Sequence, residues 1–398
     1  MRRTLVLLTT AAFSVGLLSA ASAGEQARTP LDRSASFEAL SSAENSSAQF
    51  KTVFTAQLGL EGLTSDNKGN LYTPARGGTP CPVYRVPAAG GAGEVVGTIP
   101  APCNPAGLAF DRTGRLFVAN ADTVVSFVPD AANPPAATVS VRGVPGANGL
   151  AFDRRGGLWI SDGTTGQGRV WRAGTDGVPV EQFRVQPLVS DVNAVDGVGG
   201  LGRDVRSAPP ATVNISPNGR SAANLEGSQH LVANGLAFTP DGSLLIADTA
   251  RGALWRVPFD RDGKPAGRAG CDSAFALNTL CLDNILVQHP YLEGADGIAL
   301  DRAGNVWTAV NERNAVVVVT RGERVREFLR NPADPVTKLR NGGPLEFPTS
   351  PVVLPDGRLC LAHSDGGRRD NFPNTGGEVR PTGPNRAKLS CQAGVLKP

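Results

Sequence analysis

The chain has one methionine, three histidines and three tyrosines in 398 residues, and only 19% of it is charged. Its six cysteines show no Cys-x-x-Cys or Cys–His spacing, so a zinc finger or ribbon is excluded. No Gly-x-Ser-x-Gly string occurs, which removes the serine-hydrolase elbow. Long amphipathic runs are missing, so helices are not expected. There is no basic block. The formal charge of +3 falls to about +1 without Arg2 and Arg3, which argues against a nucleic-acid partner. Past Leu18 no apolar run approaches the ~20 residues that cross a bilayer, so no membrane partner is expected.

The chain begins with Arg2 and Arg3, an apolar stretch from Leu5 to Leu18 and the small-residue string Ala21-Ser22-Ala23. Residues 1–23 therefore read as a secretion signal, 24–50 as a flexible leader rich in Ser and Ala, and 51–398 as the folded part. The expected location is secreted or periplasmic. Six cysteines suit such an oxidising compartment. Cys81 and Cys103 flank two strand-like runs around Gly90-Gly91, and Cys360 and Cys391 bracket Thr375-Gly376-Gly377. Neighbour pairing is the geometric expectation, with Cys271 and Cys281 closing a short loop.

Glycine (48) and proline (31) are plentiful, and they separate short apolar runs rich in β-branched and aromatic residues. One phrase recurs: Glu61-Gly-Leu-Thr-Ser-Asp, Ala106-Gly-Leu-Ala-Phe-Asp, Asn148-Gly-Leu-Ala-Phe-Asp, Asn234-Gly-Leu-Ala-Phe-Thr and Asp296-Gly-Ile-Ala-Leu-Asp, with a degenerate copy at Ser350-Pro-Val-Val-Leu-Pro. Each is followed by a turn such as Asp111-Arg-Thr-Gly114 or Asp301-Arg-Ala-Gly304 and then by a second apolar run. Units of roughly 40–50 residues with four strands each are propeller blades. The fold expected is all-β, a six-bladed β-propeller with four-stranded antiparallel blades. The surplus at 186–232 reads as a loop over one face. The run Phe50–Leu58 is expected to pair with the last blade and close the ring, which removes exposed edges.

The first strand of each blade lines the channel, so the residues opening the six phrases form a ring: Glu61, Ala106, Asn148, Asn234, Asp296 and Ser350. Two carboxylates and two amides would converge there. Like charges repel unless a cation sits between them. Oxygen-only donors favour Ca²⁺ before another divalent cation such as Mg²⁺, Mn²⁺ or Zn²⁺. The metal-ligand candidates are therefore Glu61, Asn148, Asn234 and Asp296. The polar residues closing the second runs (Arg76, Asn120, Asp162, Asp248, Asn311, His363) are expected to rim the site. Among them His363 is the acid–base candidate beside Asp296. The alternative for the ring is hydrogen bonding within the channel.

These residues resemble the senescence-marker-protein/gluconolactonase family, the regucalcin-like six-bladed propellers. The resemblance runs over most of 51–398. It is strongest at Asn234-Gly-Leu-Ala-Phe-Thr-Pro-Asp-Gly with Ile246-Ala-Asp248, and at Asp296-Gly-Ile-Ala-Leu-Asp with Gly304-Asn-Val-Trp307. It implies one divalent cation held by Glu61, Asn234 and Asp296 with Asn148 nearby, and hydrolysis of lactones of sugars and related acids. The chain departs from the family pattern at Glu61-Gly-Leu-Thr, where the family has Glu-Gly-Pro and an aromatic. It departs again at Asn148-Gly-Leu, where the family has Asn-Asp-Gly. The function expected is metal-dependent hydrolysis of a small lactone or ester, with Asp296 steering water. The rivals are a ligand- or protein-binding propeller with a structural cation, and a metal-free bond-forming propeller like strictosidine synthase. The Asp260-Arg-Asp-Gly263 string reads as a hairpin turn, because the later Glu of a calcium loop is missing.

Overall fold

The computed structural model describes residues 50–394 apart from 187–232, 365–386 and positions 67, 164, 274, 334, 337–339 and 341. The proposed signal and leader, the 186–232 loop (except Gln186) and His230 lie outside the described residues. Within them the chain forms six four-stranded antiparallel sheets. The first blade is Thr64–Ser65, Asn70–Pro74, Cys81–Pro87 and Glu94–Ile99, and the second is Pro105–Phe110, Leu116–Asn120, Thr123–Phe127 and Thr138–Arg142. The third is Ala147–Phe152, Leu158–Asp162, Arg169–Ala173 and Pro179–Arg184, and the fourth is Ala233–Phe238, Leu244–Asp248, Ala253–Val257 and Ile285–Gln288. The fifth is Ala295–Leu300, Val306–Val310, Ala315–Val319 and Val325–Arg330. The sixth joins Pro348–Val353, Leu359–His363 and Lys388–Gln392 to the N-terminal strand Phe50–Thr55. That strand pairs antiparallel with Lys388–Gln392, so the ring closes as the sequence predicts.

The apolar side chains gather into six clusters, one per blade interface. Trp159 of the third blade meets Leu236 and Trp255 of the fourth, for example, and Phe50 and Leu361 of the sixth meet Trp307 and Val316 of the fifth. Each blade thus buries both faces against neighbours, which explains why its strands are apolar on both sides.

The turn aspartates do two jobs with one side chain. Asp153 Oδ1 accepts the N–H groups of Arg155 and Gly157, while Oδ2 accepts Trp159 Nε1 at 3.0 Å. Asp301 repeats this with Ala303, Asn305 and Trp307, and Asp66 with Lys68, Asn70 and the Tyr72 hydroxyl. The turn is thereby tied to the strand that leaves it. Asp260 accepts the N–H groups of Asp262 and Lys264 in the same way, so Asp260–Gly263 is a turn.

The recurring glycine is set by the channel. A Cβ on Gly62, Gly107 or Gly149 would collide with the carbonyl oxygen of Ala106, Asn148 or Asn234 in the next blade. A Cβ on Gly235 would lie 2.5 Å from the Asp296 oxygen, and one on Gly297 2.6 Å from the Thr349 oxygen. Thr349 Oγ1 then donates to the Glu61 carbonyl at 2.6 Å and joins the sixth blade to the first. In the first five blades the inner strands pack so closely that only hydrogen fits at this position.

This alignment corrects one expectation. Thr349, not Ser350, stands where Asn234 and Asp296 stand. Pro348 pairs with His363 as Ala147 pairs with Asp162, and Pro351 pairs with Leu361 as Leu150 pairs with Ile160, so Ser350 stands in the glycine position.

Three disulfides join Cys81 to Cys103, Cys271 to Cys281 and Cys360 to Cys391. They match the neighbour pairing and suit an oxidising environment. Cys360 and Cys391 stand opposite each other on adjacent strands. Among the described residues no helix is long and apolar enough to cross a membrane.

Candidate functional site

In blades two to five the residue before the glycine is the second of the inner strand, Thr349 holds that place in the sixth and Glu61 precedes the inner strand of the first, and the backbone contacts just described put these residues in a ring at one mouth of the channel. Three ring residues, Glu61, Asn234 and Asp296, meet a side chain fifteen positions later, just past the end of the second strand. Asn234 Nδ2 donates to Thr249 Oγ1 at 3.0 Å, and Asn311 Nδ2 donates to Asp296 Oδ2 at 2.8 Å, both across fifteen residues. Arg76 Nη1 lies 3.1 Å from Glu61 Oε2, and the Asn148 side chain packs against Gly163. Ala121 and Ser364 stand at the same offset from Ala106 and Thr349.

Asp296 is the centre of the arrangement. Its side chain is buried, as are Asn148 and Asn234. Burial first, and then the charge of Glu61, hold its carboxyl well above the ordinary carboxylate range, while hydrogen bonds from Asn311 and Asn234 and the charge of Arg76 pull the other way. The structure therefore brings Glu61, Asn234 and Asp296 together, and Asn148 occupies the adjoining ring position. Two carboxylates forced into a buried space, with only oxygen and amide groups around them, are a donor set suited to a hard divalent cation. Among the described residues no three His, Cys, Asp or Glu side chains gather at one point, so two carboxylates helped by amides are what this chain offers.

The rim expectation needs correction. The pairings Asn120 with Pro105, Asp162 with Ala147, Asp248 with Ala233 and His363 with Pro348 show that these four residues are equivalent. Side chains alternate along a strand, so they point away from the channel circle into the blades. Asp162 pairs with Arg169 and accepts from Thr165. Asp248 accepts from Trp255 Nε1 at 3.0 Å and is pushed up to about 6 by burial, despite the nearby Arg251. Arg76 and Asn311 stand one residue further and do reach the ring.

His363 is also corrected. It is 0% exposed. Nδ1 accepts the Glu346 N–H at 3.1 Å, and Nε2 lies 2.7 Å from Ser390 Oγ. Burial, and then Lys388, hold its pKa well below the ordinary histidine value. It is a neutral strut between strands, and the acid–base role is not carried further. Its stabilising effect is present above the unfolded value of about 6.5 and is lost as pH falls below it. His363→Gln should cost about 1–3 kcal/mol of stability at pH 8 for the lost buried bonds, read as a lower melting temperature. The gap to wild type should narrow as pH falls below about 6.5, and a pH-independent gap would refute the assignment. His289 plays a local part, its Nδ1 accepting the Tyr291 N–H at 3.0 Å.

The sequence reading missed Thr249 and Thr349 and gave no partner to Arg76 or Asn311. The fifteen-residue offset within each repeat was the available signal.

Comparison with known proteins follows from this geometry. Residues 197–345 match the family model of the SMP-30/gluconolactonase/LRE-like region. That stretch contains Asn234, Thr249, Asp296 and Asn311. Among curated proteins none matches the chain. Among solved structures, the chain is similar to a luciferin-regenerating enzyme, with 14% identity and a TM-score of 0.53, covering 86% of this chain and 95% of that one. It is also similar to the PQQ-bound aldose sugar dehydrogenase of Streptomyces coelicolor, with 17% identity and a TM-score of 0.52, covering 86% and 96%. At these identities the likeness is one of fold, and fold alone does not assign activity.

Proposed function

We propose, from the premise that this chain is a six-bladed propeller carrying an SMP-30/gluconolactonase/LRE-like region, that it is a secreted or periplasmic, divalent-cation-dependent hydrolase of a small lactone or related ester. The observation that carries this reading is the buried Asp296 carboxylate beside Glu61 at the channel mouth, with Asn234 bonded to it. Two adjacent anions in such a place are costly without a cation. A divalent ion, Ca²⁺ first, held by Glu61, Asn234 and Asp296 with Asn148 beside them, would supply polarisation of the substrate carbonyl and charge for the oxyanion.

The protein's own groups do the rest. Asn311 grips Asp296 Oδ2 and fixes the plane of the carboxylate. Thr249 holds the Asn234 amide and itself donates to the Ala295 carbonyl, so the amide cannot turn away. Asp296 orients the attacking water, and the packed inner strands give the ring the rigidity that positioning requires.

The test is a panel of sugar and hydroxy-acid lactones with the purified full chain. Turnover should fall by about a hundredfold or more after chelation and return with Ca²⁺. Tight cation binding with no turnover would favour the binding propeller with a structural ion. Undiminished turnover in metal-free protein would overturn the reading.

A further inference from the structure

At the channel mouth Glu61 forms an ion pair with Arg76. Of the six residues fifteen positions after the ring residues (Arg76, Ala121, Gly163, Thr249, Asn311, Ser364), only Arg76 is charged. Its Nη1 lies 3.1 Å from Glu61 Oε2, with side chains 37% and 15% exposed. Its Nε donates to the Pro105 carbonyl at 2.8 Å. The guanidinium is thus pinned at two points, one in the first blade and one where the second blade begins. The Cys81–Cys103 disulfide ties the loop after Arg76 to the segment just before Pro105, which keeps those anchor points together. The same positive charge acts on Asp296, opposing the effect of Glu61.

A fixed guanidinium and a divalent ion cannot share one carboxylate without repulsion. To ligate the ion, Glu61 must give up or weaken its bond to Arg76. We propose that Arg76 is a resident counter-ion of the channel, competing with the divalent cation for Glu61 and setting the affinity of the site. This rests on the cation-binding reading above. The pair is partly exposed, so its effect is screened and modest. The hydrogen bond to Pro105 keeps Arg76 at the mouth after Glu61 is taken. The site with its cation then carries two negative charges, the guanidinium and a divalent ion, a net positive sum.

Calorimetric titration of Ca²⁺ into the metal-free full chain tests this. Arg76→Gln should bind Ca²⁺ about two- to fivefold more tightly than wild type. Arg76→Met, which keeps much of the aliphatic stem, should show the same gain, so the result does not depend on one variant folding. Arg76→Lys, which keeps the charge, should stay nearer to wild type. In a Glu61→Gln background the gain from removing Arg76 should shrink. Equal or weaker affinity in folded Arg76→Gln and Arg76→Met, with wild type binding Ca²⁺, overturns the competition alone. Absence of Ca²⁺ binding in wild type and all variants overturns the cation site, and the competition with it.

Discussion

Asp296→Asn should abolish detectable Ca²⁺ binding and cut lactone turnover by about 10²–10³-fold, yet make the metal-free protein more stable. The two halves share one cause. Asp296 is buried beside Glu61, and its carboxyl is held well above the ordinary range by burial first and by that neighbour second. A group whose folded-state pKa is raised contributes stability that is fully present below its unfolded value, about 3.9, and is lost as pH rises through the folded value. At neutral pH the metal-free protein lacks that contribution, because the raised carboxyl is disfavoured there relative to the unfolded chain. Asparagine has nearly the same shape without the charge, so the cost disappears. The melting temperature of metal-free Asp296→Asn at pH 7.5 should exceed that of metal-free wild type by about 2–4 °C. The order should reverse with saturating Ca²⁺, because binding to the native state stabilises wild type only. The advantage of the variant should also shrink as pH falls toward 4. A metal-free variant that melts below wild type would show that the carboxylate is paid for by something other than a cation.

The second large effect is expected from a single methyl group. Gly235→Ala would place Cβ 2.5 Å from the Asp296 carbonyl oxygen, 2.8 Å from Gly297 Cα and 2.9 Å from Ile298 N. All three are backbone atoms of the neighbouring inner strand, so no side chain can swing aside. The fifth blade's inner strand must shift outward, and it carries Asp296. A loss of about 3 kcal/mol is expected, visible as a melting temperature lower by about 6–12 °C. Ca²⁺ affinity should fall as well, although no ligand is changed. Gly242→Ala is the control. Gly242 has positive φ but nothing within 4 Å of its would-be Cβ, so it should show backbone strain only and leave Ca²⁺ affinity alone. Equal loss of affinity in both variants would contradict the packing explanation.

These two residues also show what the sequence could and could not reveal. The blade count followed from the phrase itself. A close backbone contact demands glycine in five of the blades, and the turn demands Asp with Gly in all six. The partners of the ring were harder. Arg76, Thr249 and Asn311 share no chemistry, and only their common offset marks them as equivalent. The sixth blade was misaligned by one because Ser350 replaces the glycine and Pro351 follows it. The bulge between Pro348 and Ser350 became visible only through strand pairing. His363 failed for a related reason. One step along a strand turns a side chain from the pore to the blade interior. Sequence alternation gives that period but not its phase at the end of a strand, where Asp162, Asp248 and His363 all carry polar groups into buried places. Interior ion pairs and histidine struts look like active-site residues until their partners are seen.

The clasp between Phe50–Thr55 and Lys388–Gln392 imposes an order of events on synthesis. The first strand among the described residues has its hydrogen-bonding partner more than three hundred residues later. Five blades can assemble from neighbours alone, but the sixth waits for the final strand, and until then its inner pair lacks two companions. Nascent chains paused short of residue 388 should therefore resist proteolysis across the second to fifth blades while remaining cleavable around Phe50.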